Sequence, residues 1–142
     1  MRLLNALIIV GLLSTANAQL TQESDNIIKD SKTNYLWQDN KAVTTNKLNF
    51  KDAMSYCRNL ELDGVKGWEL PGFLELFSIV NPKLYNPTLS KEFQHIIPGN
   101  YWSTKTFGHG TSKEAFVIDF KAGGFNRMKM TDAYLVRCVK KL

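Results

Sequence analysis

The feature that most constrains this chain is a pair of cysteines, Cys57 and Cys138, set 81 residues apart behind an N-terminal export signal. Met1-Arg2 gives the signal a short basic start, and residues 3–13 give it an apolar run broken only by Asn5. Ala16-Asn17-Ala18 is the small-x-small pattern at which a signal peptidase cuts, so residues 1–18 are predicted to be removed. The apolar run is too short to cross a membrane as a helix, which needs about twenty residues. No later segment is long and apolar enough to do so. Gln19 rather than a cysteine follows the cut, so a lipid-anchored form is not indicated. In an exported chain an even cysteine count argues for a bridge. Closing so long a loop contributes about 4–5 kcal/mol in the chain-entropy account, a large share of a total stability of about 5–15 kcal/mol.

The remainder has the length of one domain and can bury a core without help from a metal. The formal net charge is +5, of which Arg2 carries one. A mild basic excess favours acidic partners such as sulfated or carboxylated glycans, or anionic membrane surfaces. The lysines are scattered, however, as ordinary solubilising charge would be, and the one dense run is Lys140-Lys141.

Residues 19–34 form a polar N-terminal arm, read as a loose segment or a leading strand. Tyr35-Leu36-Trp37-Gln38 is a short aromatic strand ended by the turn-forming Asp39-Asn40. Asn49 is suited to cap a helix over residues 50–61, where Phe50, Ala53, Met54, Cys57 and Leu60 share one face and Asp52 complements the dipole. A second helix is predicted from Phe73, Leu76, Phe77 and Val80, which recur at i, i+3, i+4 and i+7. Residues 81–100 hold Pro82, Pro87 and Pro98 and read as a long irregular connection, of the kind that is functional or mobile. Strands follow. They run from Tyr101, over 114–120 with Phe116, Ile118 and Phe120 on one side, over 125–130, and over 134–139 with Tyr134, Val136 and Cys138 on one face. The order is α+β: two helices on a small, mostly antiparallel twisted sheet, with a Cys57–Cys138 bridge pinning the first helix to the last strand.

Six short motifs in order then resemble a known family. They are Leu36-Trp37-Gln38-Asp39, Ala53-Met54-Ser55-Tyr56-Cys57, Trp68-Glu69-Leu70-Pro71 with Glu75-Leu76, Tyr101-Trp102-Ser103-Thr104, the run from Ala115 to Phe120, and Val136-Arg137-Cys138-Val139. Together they resemble the Lcl C-terminal domain family, whose function is largely unknown, and more remotely the formylglycine-generating sulfatase-modifying domains. The resemblance implies a C-type-lectin-like fold over residues 35–142 and the same helix-to-strand disulfide. The family usually carries Arg where this chain has Glu69, which reverses a charge and puts in question any ion pair made there.

No catalytic residue is predicted. A bridged Cys138 cannot act as a thiolate nucleophile, and no Gly-x-Ser-x-Gly motif is present. His95 and His109 lack partners at ligand spacing, so no metal and no cofactor are expected. Neither Asn81-Pro82-Lys83 nor Asn86-Pro87-Thr88 carries the flanking acid that calcium-dependent sugar binding uses. No dinucleotide or P-loop glycine pattern points to a nucleotide, and nothing beyond charge points to nucleic acid.

Trp37, Trp68 and Trp102 read as structural core. The candidate binding residues are Lys105, Phe107, His109 and Lys113 around a Gly-rich turn, and Phe125, Arg127 and Lys129 after Gly123-Gly124. Aromatics beside basic groups suit an acidic glycan or an envelope or cell-surface protein. The expectation is a periplasmic or extracellular non-catalytic binding module. The alternatives are an enzyme related to the sulfatase modifiers, which would need a free Cys138, and a structural subunit of an envelope assembly.

Overall fold

The computed structural model describes residues 19–108 and 110–142. The predicted signal at residues 1–18 and the candidate His109 lie outside the described residues. The architecture is α+β, with two mostly antiparallel sheets rather than the one predicted.

The first sheet has the order β1-β2-β3-β9, from β1 (Leu20–Ser24), β2 (Ile27–Asp30), β3 (Tyr35–Gln38) and β9 (Val139–Lys141). The polar arm is therefore a β-hairpin, and Ile27 and Ile28 at its second strand are both buried. The second sheet has the order β4-β8-β5-β6-β7. It is built from β4 (Lys47–Leu48), β5 (Asn100–Phe107), β6 (Glu114–Asp119), β7 (Phe125–Lys129) and β8 (Tyr134–Leu135).

Two apolar clusters cover the sheets, and adjacent residues divide between them. Ile27, Leu36, Trp102, Val117, Val136 and Cys138 enter one cluster. Their chain neighbours Ile28, Trp37, Tyr101, Ile118, Leu135 and Val139 enter the other. Successive side chains of a strand point to opposite faces, so a run of two apolar residues marks a strand buried on both sides.

Helix α1 (Ala42–Thr45) is a single turn, and α2 (Phe50–Asn59) is the predicted first helix. Its cap is as the sequence suggests: the Asn49 side chain accepts from the Asp52 N–H at 2.9 Å. Phe50, Ala53 and Cys57 are its buried face. Cys57 is bonded to Cys138 with 5.4 Å between the Cα atoms, and both residues are fully buried. The predicted final strand is broken. Its halves β8 and β9 belong to different sheets, and Val136, Arg137 and Cys138 form the step between them.

That step also fixes residues 81–100. Arg137 is fully buried; its Nη1 donates to the Gln38 carbonyl and its Nη2 to the His95 carbonyl, each at 2.6 Å. Nη1 also lies 3.3 Å from Asp39 Oδ1, and the guanidinium stands 4.7 Å from the centre of the Phe93 ring. Burial disfavours the Arg137 charge, and Tyr101 and Asp39 beside it oppose that effect. The Asp39 carboxylate in turn accepts the N–H groups of Gln94 at 2.8 Å and His95 at 3.0 Å. The long connection is irregular but anchored, with Leu89 and Phe93 in the core.

Candidate functional site: an aromatic and cationic sheet face

Helix α3 (Phe73–Phe77) is the second of the two predicted helices, shortened to five residues and packed against β5 and β6. The predicted apolar stripe of Phe73, Leu76, Phe77 and Val80 does not all turn inward. A five-residue helix makes little more than one turn, and Leu76 alone of its residues is fully buried. Phe73 and Phe77, four positions apart on the flank, stack with ring centres 6.0 Å apart and planes 5° from parallel.

This flank meets one face of β5, β6 and β7. The β6–β7 register sets Phe116 opposite Arg127, Ile118 opposite Phe125 and Glu114 opposite Lys129, while β5 sets Phe107 opposite Glu114. The Phe73 ring stands edge-on to Phe116 at 5.9 Å and to Phe125 at 5.3 Å. Phe116 in turn contacts Phe107 at 6.4 Å and Phe125 at 6.1 Å. Five phenylalanines thus form one continuous surface. Leu74 (78% exposed), Phe125 (56%), Phe107 (48%) and Phe77 (42%) leave much of it and its border open to solvent, the kind of patch that marks an interaction site.

Cations sit on the rings. The Arg127 guanidinium lies 3.8 Å from the Phe107 ring centre, and Lys105 Nζ lies 5.8 Å from Phe73 and 5.9 Å from Phe116. Such contacts hold an exposed cation in place at about 0.5–1 kcal/mol each. Among the described residues, none of Lys105, Lys113, Arg127 or Lys129 forms an ion pair. Their charges remain available to an acidic group.

Of the residues singled out from sequence, Lys105, Phe107, Phe125, Arg127 and Lys129 share this face. Lys113 and Lys129 border an adjoining cleft of about 740 Å³ whose lining includes Phe107, Met130 and Thr131. Trp37, Trp68 and Trp102 are buried and offer no stacking surface. Sequence reading missed Phe73, Phe77 and Phe116 as members of the face. The Phe73/Phe77 spacing was visible, but it is equally the spacing of a core stripe.

Cys138, which the enzyme alternative requires as a thiol, is spent in the disulfide. No group of three His, Cys, Asp or Glu among the described residues is placed to hold a metal ion. No described helix is long and apolar enough to cross a membrane.

The sequence pattern of the Lcl C-terminal domain matches residues 26–140. The chain belongs to the Lcl C-terminal domain family. No curated protein matches it. The Lcl C-terminal domain match begins in the β1–β2 turn and so takes in β2 as well as the strands from Tyr35 onward. Glu69 has its own partner in this Lcl C-terminal domain. Lys141 Nζ lies 3.2 Å from Glu69 and 2.8 Å from Glu75, and these two carboxylates, Glu75 foremost, raise the Lys141 pKa above its ordinary 10.5. The side chain of Glu75 also accepts the Gly72 N–H at 2.9 Å, so Glu69 and Lys141 join a network at the start of α3.

Proposed function

We propose that this chain is an exported, non-catalytic binding module that takes an acidic surface ligand on its phenylalanine face. The ligand class that fits is a carboxylated or sulfated carbohydrate in the periplasm or outside the cell, reached after cleavage behind Ala18. The observation that carries the reading is the placement of Arg127 over the exposed Phe107 ring at 3.8 Å and of Lys105 over the half-buried Phe73 ring at 5.8 Å, with no carboxylate among the described residues paired to either cation. Rings supply flat apolar contact for the faces of sugar rings, and the cations between them meet the acidic groups. The spent Cys138 supports a binding role over chemistry of the sulfatase-modifying kind.

The test is equilibrium binding of the purified protein to sulfated, carboxylated and neutral polysaccharides at low and high salt. Acidic chains should bind and neutral chains should not, with affinity falling as salt rises. A Lys105→Gln/Arg127→Gln variant should lose at least about tenfold, roughly 1.4 kcal/mol. Equal binding by that variant, or preference for neutral chains, refutes the reading. The first residue of exported protein should be Gln19.

A further inference from the structure

Strand β7 is the last strand of the second sheet, and its outer edge carries no partner strand among the described residues. Which of its backbone groups point outward follows from its pairing with β6. Asp119 N–H donates to the Gly124 carbonyl and Met130 N–H to the Lys113 carbonyl, both at 2.8 Å. These bonds set the phase of the antiparallel ladder, in which hydrogen-bonded and non-bonded positions alternate. Residues 124, 126, 128 and 130 face β6, and residues 125, 127 and 129 turn their N–H and C=O groups away from it. The Lys129 carbonyl is taken by the Asp132 N–H at 3.0 Å, and Phe50 caps the end of the strand by donating to the Met130 carbonyl at 3.0 Å. Among the described residues, nothing takes either backbone group of Phe125, either of Arg127, or the N–H of Lys129.

The same three residues put their side chains on the phenylalanine face, since alternate residues of a strand share a side. Backbone edge and side-chain face therefore present one composite surface, apolar at Phe125 and cationic at Arg127 and Lys129. We propose that β7 is a strand-addition site for an extended acidic segment of a partner protein. The segment pairs antiparallel and reads acidic–x–acidic–x–aromatic. Its two acids stand opposite Lys129 and Arg127, and its aromatic stands opposite Phe125.

Charge complementarity selects this occupant. Opposite charges facing each other across a strand pair stabilise it, and like charges in that position destabilise it. A second copy of β7 paired about Arg127 would set Arg127 against Arg127 and Lys129 against Phe125. Lysine and arginine on an edge strand are a common guard against such self-association. An acidic strand converts the same guard into attraction. Edge addition gives affinity through the backbone and selectivity through alternate side chains. The inference goes beyond the acidic-ligand reading because it depends on the outward N–H groups, which a ligand lying only on the rings does not engage.

The experiment is a titration of ¹⁵N-labelled protein with a capped glutamate–threonine–glutamate–valine–phenylalanine peptide, read by amide hydrogen exchange and chemical shift. Two further peptides accompany it: one with the edge-facing amides N-methylated, and one with lysine in place of both glutamates. The amides of Phe125, Arg127 and Lys129 should gain at least tenfold protection, while Asn126 and Met128, already bonded to β6, should not change. N-methylation and charge reversal should each weaken binding at least tenfold. Unchanged binding of the N-methylated peptide, or no binding of the parent peptide, overturns strand addition. If acidic polysaccharide then still binds without protecting those amides, the face reading stands and the edge reading alone has failed.

Discussion

Arg137 and Asp39 face each other in the interior, Nη1 3.3 Å from Oδ1, one from the step between the last two strands and the other from just after β3. Their remaining bonds go to backbone: the carbonyls of Gln38 and His95 for the guanidinium, the amides of Gln94 and His95 for the carboxylate. The pair thus ties both sheets to the irregular connection. Asp39→Ala leaves a buried charge uncompensated and should cost about 3–5 kcal/mol. Adding Arg137→Met to that variant removes the charge and should recover part of the loss. Urea denaturation of the parent, both single variants and the double variant measures the coupling.

The orientation of α3 is checked by neighbouring leucines. Leu76 is fully buried and Leu74 is 78% exposed. Leu76→Ala should cost about 2–5 kcal/mol, and Leu74→Ala should stay within about 0.5 kcal/mol of the parent. Equal effects in thermal or urea unfolding would contradict the orientation and the exposed phenylalanine flank that depends on it.

Asp63 gives a pH-dependent contribution of known sign. Its carboxylate accepts from Ser24 Oγ and from Asn26 Nδ2 at 2.9 Å, and these bonds, Ser24 foremost, hold its pKa below the ordinary 3.8. The ionised form is thus favoured in the folded state. Its stabilisation is present above the unfolded value and is lost as pH falls through the folded one. Asp63→Asn removes the titration while keeping a residue suited to the left-handed φ of 49° at this position. The stability gap between parent and variant should be constant near neutrality and shrink below about pH 4, as read by urea midpoints across pH.

The disulfide is tested by mass and by stability together. The isolated protein should gain two hydrogens on reduction and accept no alkylating agent beforehand, since both cysteines are bonded to each other. Cys57→Ser/Cys138→Ser should lose about 4–5 kcal/mol, the chain-entropy value for a loop of this length. A fast-alkylating thiol in the native protein would return the enzyme alternative to consideration.

Much of the framework was legible because local chemistry and tertiary demand agree there. Asn49 capping a helix with Cys57 inward, and β6 carrying Phe116 and Ile118 on one side, are cases where local pattern alone decides. What was left open or misread has physical causes. In β1 the sequence LTQES lies at a sheet edge and is mostly exposed, so its low apolar content left a loose segment and a leading strand both open, and the structure shows the strand. The run from Tyr134 alternates like one strand, yet it changes sheets at Arg137, whose partners Gln38 and Asp39 lie 99 and 98 residues away in the chain. Phe73 and Phe77 obey helical spacing, but the spacing cannot say which side of a one-turn helix the sheet will occupy. Lys105, Phe107, Phe125 and Arg127 were recognisable as a set, while the rings that join them, Phe73 from α3 and Phe116 from β6, were not.

The broken C-terminal run bears on how the polypeptide acquires its shape during synthesis. β8 lies between β4 and β5, and β9 pairs with β3, so two unlike surfaces wait for the same final stretch of chain. A nascent polypeptide stopped before Tyr134 would leave β4 unattached, the β3 edge open, Cys57 without its mate and Asp39 without its cation. Closure therefore waits for the residues from Tyr134 onward and cannot proceed strand by strand as the earlier segments emerge.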